Sequence, residues 1–204
     1  GEHTFNATKL IMSGQGGAFC TDDEKLYRKA KLHSHHGIDK AVTGKYYWSN
    51  VLGYNYNWTN LQAALALAQL RRIDELIEYK HWLFAEYHRG LKDMPDIQLS
   101  AAKHNVNPSY WISVAIPDAR YGFDKEELGL RFEAENIDLR PLFYPVSAMP
   151  TFERYLSQSD MGAINPVTYQ LSKYGVCLPN GNNLESEDVK QVCDVFKEIL
   201  LAKA

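Results

Sequence analysis

His3-Thr4-Phe5-Asn6-Ala7-Thr8-Lys9, followed a few residues later by Gly14-Gln15-Gly16-Gly17, is the stretch whose reading decides the fold of this 204-residue chain. One lysine stands among small and polar neighbours, with no acidic residue in the segment. Glycine reaches positive φ at little steric cost, so Gly14 to Gly17 read as a tight turn. Ala18-Phe19-Cys20 leaves that turn as a short strand. A lysine fixed on a rigid turn beside a hydroxyl can capture a carbonyl, provided its pKa is lowered enough to free the lone pair. Taken alone, a Lys between Thr and Leu reads more simply as a solvated surface side chain, because lysine is seldom buried without a partner.

Working outward, Thr21-Asp22-Asp23-Glu24 has capping-box spacing and predicts a helix to about His36, with Gly37 as its stop. His33, His35 and His36 fall on that helix. Their side chains point in different directions and no acidic or cysteine ligand completes a set, so no metal site is expected. Residues 38 to 58 show no period, but their aromatics (Tyr46-Tyr47-Trp48) argue for an ordered loop rather than disorder. Thr59-Asn60-Leu61-Gln62 repeats the capping box. Leu61, Ala64, Leu65, Ala68, Ile73, Leu76, Ile77, Leu83, Phe84, Tyr87 and Leu91 then follow at helical spacing. That pattern predicts one long helix, straight or kinked, over 59–92, roughly 50 Å long at 1.5 Å per residue and able to tie two domains together.

Beyond Pro95 and the polar stretch from Ser100 to Pro108, the pattern is that of a small α/β unit. Trp111 to Ile116 reads as a strand, as do Ile137 to Arg140 and Gly175 to Pro179. Asp124, with Glu127 three residues on, caps a helix carrying Leu128 and Phe132. Tyr144 to Ala163 reads as irregular, with room for one short helix. Ser186-Glu187-Asp188 opens a last helix whose apolar face is Val189, Val192, Cys193, Phe196, Ile199 and Leu200.

Composition narrows the function classes. A formal net charge of −3 supplies no basic field, so nucleic-acid binding has no electrostatic support. The longest apolar stretch, Leu61 to Leu70, is too short to span a bilayer and carries Gln62 and Gln69. No signal peptide opens the chain. Cys20, Cys177 and Cys193 are an odd set without ligand spacing, which fits reduced, mostly buried thiols in a cytoplasmic protein.

Thr4-Phe5-x-x-Thr8-Lys9, Gly14-x-Gly16-Gly17 and the following Thr-Asp-Asp-Glu together resemble the Schiff-base lysine segment of the DegT/DnrJ/StrS sugar aminotransferases. The likeness continues through Gly53-Tyr54-Asn55-Tyr56, Leu61-Gln62-Ala63-Ala64, Gln69-Leu70, Leu139-Arg140-Pro141, Tyr144-Pro145 and Leu178-Pro179, in family order. The resemblance implies the C-terminal part of the pyridoxal-phosphate-dependent aspartate-aminotransferase fold (fold type I), an α/β architecture. Residues 1–80 would be a remnant of the large cofactor-binding domain with part of the long helix, and 81–204 the small C-terminal α/β domain. Family members carry about half their length before this lysine.

By the same resemblance, Lys9 holds pyridoxal 5'-phosphate as a Schiff base and serves as the general acid–base. Its being Lys rather than His points to transamination over the dehydration of a related branch. Thr4 would bind the cofactor phosphate, with a plain turn threonine as the alternative. Asn55 would reach the phosphate of the neighbouring subunit in a homodimer, against an Asx-turn residue before the helix. Arg140 would grip a carboxylate or phosphate of substrate, or else pair on the surface with Asp138 or a nearby Glu. Tyr144 would line the same pocket, or pack on the irregular segment. Phe143-Tyr144-Pro145 resembles the perosamine-type enzymes, which aminate C4 of a GDP-linked 4-keto-6-deoxy sugar with an amino-acid donor such as glutamate. Two positions depart from the family. Asn57 stands where Arg or a similar residue is usual, and Ser147 lies near where a sugar-contacting histidine is common. The aspartate for the cofactor's ring nitrogen and the aromatic stacked on the ring come, in relatives, from sequence before the lysine. A catalytically silent piece that retains dimerisation or sugar-nucleotide binding is therefore the second expectation.

Overall fold

A computed structural model describes residues 2–100, 102–156 and 160–202. The chain divides into two compact units, Gly1–Leu76 and Ile77–Ala204.

In the first unit, β1 (Glu2–Thr4) pairs antiparallel with β2 (Gly17–Phe19), with Thr4 opposite Gly17. The intervening residues therefore form a loop whose ends meet. Gly17 faces the His3 carbonyl so closely that a Cβ would lie 2.7 Å from the oxygen. The strand expected at 18–20 starts one residue earlier; β1, at three residues, is too short to announce itself by alternation.

Helix α1 (Glu24–Ser34) is capped by Asp23 rather than by Thr21. The Asp23 carboxylate accepts from the amides of Lys25 at 2.8 Å and Leu26 at 3.0 Å, and the Thr21 hydroxyl accepts from the Asp23 amide at 3.1 Å. A carboxylate adjacent to the first turn outcompetes a hydroxyl further upstream. The helix closes two residues before His36, since His36 takes φ 54° and Gly37 φ 67°, and the Gly37 amide returns to the Leu32 carbonyl at 2.9 Å. Asp39 caps the single-turn helix α2 (Lys40–Thr43). The aromatic loop is ordered, as expected: the Tyr54 amide donates to the His33 carbonyl at 2.7 Å and the Tyr56 amide to the Ser34 carbonyl at 3.0 Å.

Helix α3 (Asn60–Leu70) has the capping box read from Thr59 and Gln62. The continuous long helix does not form. Arg72 turns its amide to the Gln69 carbonyl at 2.9 Å, closing α3 with a tightened turn, and α4 (Ile73–Gly90) starts afresh with Asp74 and Glu75 at its positive end. Neither Gly nor Pro marks the break, so the apolar period runs through it.

The second unit holds a four-stranded sheet in the order β3–β4–β6–β5, every neighbouring pair antiparallel. Its elements are β3 (Ile97–Leu99), β4 (Ser113–Pro117), α5 (Lys125–Ala134), β5 (Arg140–Pro141), α6 (Met161–Ile164), α7 (Pro166–Tyr174), β6 (Val176–Leu178) and α8 (Ser186–Leu201). Asp124 caps α5 through the Glu127 amide at 2.9 Å, as its spacing predicts. The strand expected over 137–140 shrinks to Arg140–Pro141, because the Ile137 amide returns to the Phe132 carbonyl at 2.9 Å and so closes α5. The irregular segment contains two 3-10 turns and α6; α7, opened by Pro166, was not anticipated. Residue 101 of the polar stretch and 157–159 of the irregular segment lie outside the described residues.

Leu83 and Tyr87 of α4, Leu128 and Phe132 of α5, and Val189, Val192, Cys193, Phe196 and Leu200 of α8 form the core with the sheet's inner side chains. Phe132 and Phe196 meet edge-on at 5.3 Å. Burying each such side chain is worth roughly 1.5–3 kcal/mol. The spacing on α8 thus selected the right face, with Ile199 at its margin. Of the three free thiols, Cys177 and Cys193 are buried and Cys20 is exposed.

Candidate cofactor site

Within the loop that joins β1 to β2, short-range bonds fix the backbone on both sides of the lysine. The Lys9 amide donates to the Asn6 carbonyl at 3.0 Å, and the Asn6 side chain accepts from the Thr8 amide and hydroxyl, each at 3.2 Å. The Thr4 hydroxyl accepts from the Asn6 amide at 3.4 Å, on an exposed residue. Deeper in the loop, the Phe5 amide donates to the Gly16 carbonyl at 3.0 Å and the Ser13 amide to the Phe5 carbonyl at 2.9 Å. The Ser13 hydroxyl, on a buried residue, donates to the Gln15 carbonyl at 2.8 Å. Lys9 is half-buried on this frame.

The loop is seated on residues that begin and end α3. Gln69 receives the Met12 amide at 3.1 Å and donates to the Met12 carbonyl at 2.5 Å. Trp58, next to the helix cap, meets Phe5 edge-on at 4.8 Å. Gly16 has φ 121°, and a Cβ there would fall 1.8 Å from the indole nitrogen of Trp58. Only glycine tolerates both the backbone angle and the contact.

Asn55 is exposed and forms an antiparallel bridge with His35. Asn57 has a local role: its side chain lies 2.7 Å from Nδ1 of His35 and accepts from the Ser34 hydroxyl at 3.3 Å. The His33 ring sits 2.9 Å from the Leu52 carbonyl. Two of the three histidines are thus engaged in holding the loop onto the end of α1.

In the second unit, Arg140 is exposed and stands opposite Cys177 in the β5–β6 register. Among the described residues it makes no ion pair, so the pairing with Asp138 is not formed. Tyr144 lies on the wall of a cleft of about 630 Å³, which Glu126, Leu130, Glu133 and Asp138 also line. Its hydroxyl donates to the Glu126 carboxylate, and that bond to an anion raises the phenol's pKa above the ordinary value. Lys125, buried, places its ammonium 3.4 Å from the Tyr144 ring centroid and donates to the Leu142 carbonyl at 2.8 Å. Burial lowers the pKa of Lys125. These two residues of the first turn of α5 were not singled out in the sequence, where Asp-Lys-Glu-Glu reads as an ordinary charged helix start.

The model of the DegT/DnrJ/EryC1/StrS aminotransferase family matches residues 2–197. This chain belongs to that family. A GDP-perosamine synthase of Vibrio cholerae is 30% identical over 194 residues, covering 95% of this chain and 51% of the relative. Among solved structures, PseC of Helicobacter pylori, an aminotransferase of pseudoaminic acid biosynthesis, superposes with TM-score 0.86 at 21% identity, over 98% of this chain and 53% of its own. Spr1654 of Streptococcus pneumoniae, in its PLP form, superposes with TM-score 0.82 at 22% identity, over 100% of this chain and 52% of its own. The chain spans about half the length of the relatives it matches. The fold is the mixed α/β architecture of these aminotransferases.

The donor set of the DegT-family lysine loop fits a pyridoxal phosphate. Such a group needs a primary amine at its aldehyde and hydroxyl or N–H donors at its phosphate. Lys9 on the braced loop has the first, and Thr4 at the end of β1 has the second. In the sequence Gln69 is legible only as part of the Gln69-Leu70 motif and Trp58 carries no signal, because the contacts that give them a role join positions far apart in sequence. Among the described residues no helix is long and apolar enough to cross a membrane.

Proposed function

We propose that this chain is the lysine-bearing part of a pyridoxal-phosphate-dependent sugar aminotransferase of the cytoplasm, transferring an amino group from a donor such as glutamate to a nucleotide-linked keto sugar. The family match over residues 2–197 carries this reading. When bound, the cofactor supplies the electron sink that stabilises charge on the carbon losing its proton. Lys9 Nζ would hold the cofactor through its aldehyde and, when free, would serve as the base that moves the proton. Thr4 Oγ1 would donate to its phosphate. Arg140, with an exposed planar guanidinium and no ion pair among the described residues, suits a carboxylate or phosphate of substrate. Tyr144, held by Glu126 and Lys125, is among the residues that line the cleft. A GDP-linked 4-keto-6-deoxy sugar such as GDP-4-keto-6-deoxymannose is the preferred acceptor, supported by the likeness to GDP-perosamine synthase.

The protein is expected to work as a homodimer in which Asn55 serves the partner's cofactor phosphate; the aromatic loop around it, exposed here, would be the buried surface.

Adding pyridoxal phosphate should give an absorbance band at the edge of the visible that Lys9→Ala abolishes. Lys9→Arg should abolish transamination in the complete enzyme while leaving the fold intact, since Arg keeps the charge but has no free amine. Full turnover by that variant would sink the assignment. The half-length coverage of relatives favours one second reading, a silent piece retaining dimerisation or sugar-nucleotide binding. It gains if this chain shows no such band while a longer one does.

A further inference from the structure

The loop bearing Lys9 is fastened to one helix at both of that helix's ends. At the far end, the half-buried Gln69 side chain mirrors a peptide group, accepting from the Met12 amide at 3.1 Å and donating to the Met12 carbonyl at 2.5 Å. At the near end, Trp58 packs edge-on against Phe5 at 4.8 Å and abuts Gly16, with its indole nitrogen buried and without a hydrogen-bond partner. Phe5 and Gly16 are themselves bonded to each other, and Ser13 to Phe5, so both contacts grip one closed backbone ring. Lys9 lies between them in sequence. The two contacts lie about three turns of helix apart.

We propose that Gln69 and Trp58 are positioning residues for Lys9: α3 acts as a strut that sets where the amine is presented, beyond its contribution to stability. This rests on the reading of Lys9 as the carbonyl-capturing amine. The bidentate Gln69–Met12 pair is the stronger grip, because an amide side chain replicates both backbone partners at once, and its loss leaves a donor and an acceptor of Met12 unpaired. Trp58 is the steric stop. Its size requires glycine at position 16, and a smaller side chain lets the Phe5–Gly16 edge of the ring settle inward.

The test uses the chain with pyridoxal phosphate and borohydride. The Lys9 amine adds to the aldehyde carbon, water leaves, and hydride from borohydride with a solvent proton fixes the resulting C–N link. Peptide mass spectrometry then reports which lysine carries the label, and amide exchange by mass spectrometry reports protection of residues 5–16. Gln69→Leu and Trp58→Ala are compared with Gln62→Ala, which weakens the cap of the same helix without touching the loop. We expect labelling at Lys9 to fall about tenfold in Gln69→Leu, as misplacement of a reacting group does. Exchange at Met12 and Ser13 should quicken by a similar factor. Trp58→Phe should largely restore what Trp58→Ala loses. Gln62→Ala should leave both readouts near wild type at an equal loss of melting temperature. Unchanged labelling and exchange in Gln69→Leu, or an equal effect of Gln62→Ala, overturns the proposal. If the wild-type chain shows no preference for Lys9, the reading of Lys9 itself fails. The exchange arm still decides the strut: quickened exchange confined to Gln69→Leu and Trp58→Ala upholds it, and unchanged exchange refutes it.

Discussion

Lys80 on α4 is only 4% exposed, and its ammonium donates to the Asn180 carbonyl at 2.5 Å. Burial lowers its pKa from the ordinary 10.5 to about 8. Between those two values the unfolded chain holds a proton on Lys80 that the folded chain lacks, so this residue contributes a rise in stability with pH across that window. Below about pH 8 both states are protonated and the burial penalty is complete, on the order of 3 kcal/mol. Lys80→Met should therefore flatten the rise in stability between pH 8 and 10, measured by urea denaturation relative to wild type. A variant whose profile runs parallel to wild type there would remove the argument. The residue holds a loop together with two tyrosines: Tyr79 donates to the Leu184 carbonyl at 2.6 Å and Tyr87 to the Pro179 carbonyl at 2.7 Å. No sequence signal distinguishes Lys80 from the surface lysines, because its partners are carbonyls contributed from a distant segment.

Among the elements, α3 has an unusual standing. Of its eleven residues, Asn60–Leu70, only Ala66 is buried, yet none is charged. Its start rests on Thr59, which accepts from the Gln62 amide at 3.3 Å while Gln62 returns to the Thr59 amide at 3.0 Å. Thr59→Ala removes one half of that exchange and should cost about 1 kcal/mol. Thr59→Ser should keep nearly all of it. Denaturation followed by far-ultraviolet circular dichroism reads the difference, and an Ala variant as stable as wild type would show that packing alone sets this end. The cap was legible because its partners are three residues apart. The break between α3 and α4 was not, since Arg71 and Arg72 are good helix formers and nothing local forbids continuation.

For the whole molecule, the loop from Tyr46 to Tyr56 presents Tyr47 at 93%, Leu52 at 78% and Tyr46 at 72% exposure, more apolar surface than an isolated loop retains without use. Tyr54 and Tyr56 stack in parallel at 4.9 Å, which gives the patch a fixed shape. If this is the face a two-fold dimer buries, Leu52→Asp should convert dimer to monomer without loss of helix content, as read by sedimentation velocity at micromolar concentration. A wild-type complete enzyme that sediments as a monomer would end that reading.

What the sequence determined by itself was local or periodic. It specified the turn after Lys9, the caps of α3 and α5, the apolar face of α8, the strands around β4 and β6, and the family through motifs in fixed order. Each depends on residues within one turn, one strand or one short motif. Tertiary structure alone decided that β1 closes the lysine loop, that the long helix divides, that α7 exists, and that Lys125 and Glu126 hold Tyr144. It also decided that Gln69 reaches Met12. The physical reason is shared: hydrogen bonds and contacts between distant segments leave no period, and a side chain that completes a remote backbone's bonding looks in sequence like any other polar residue.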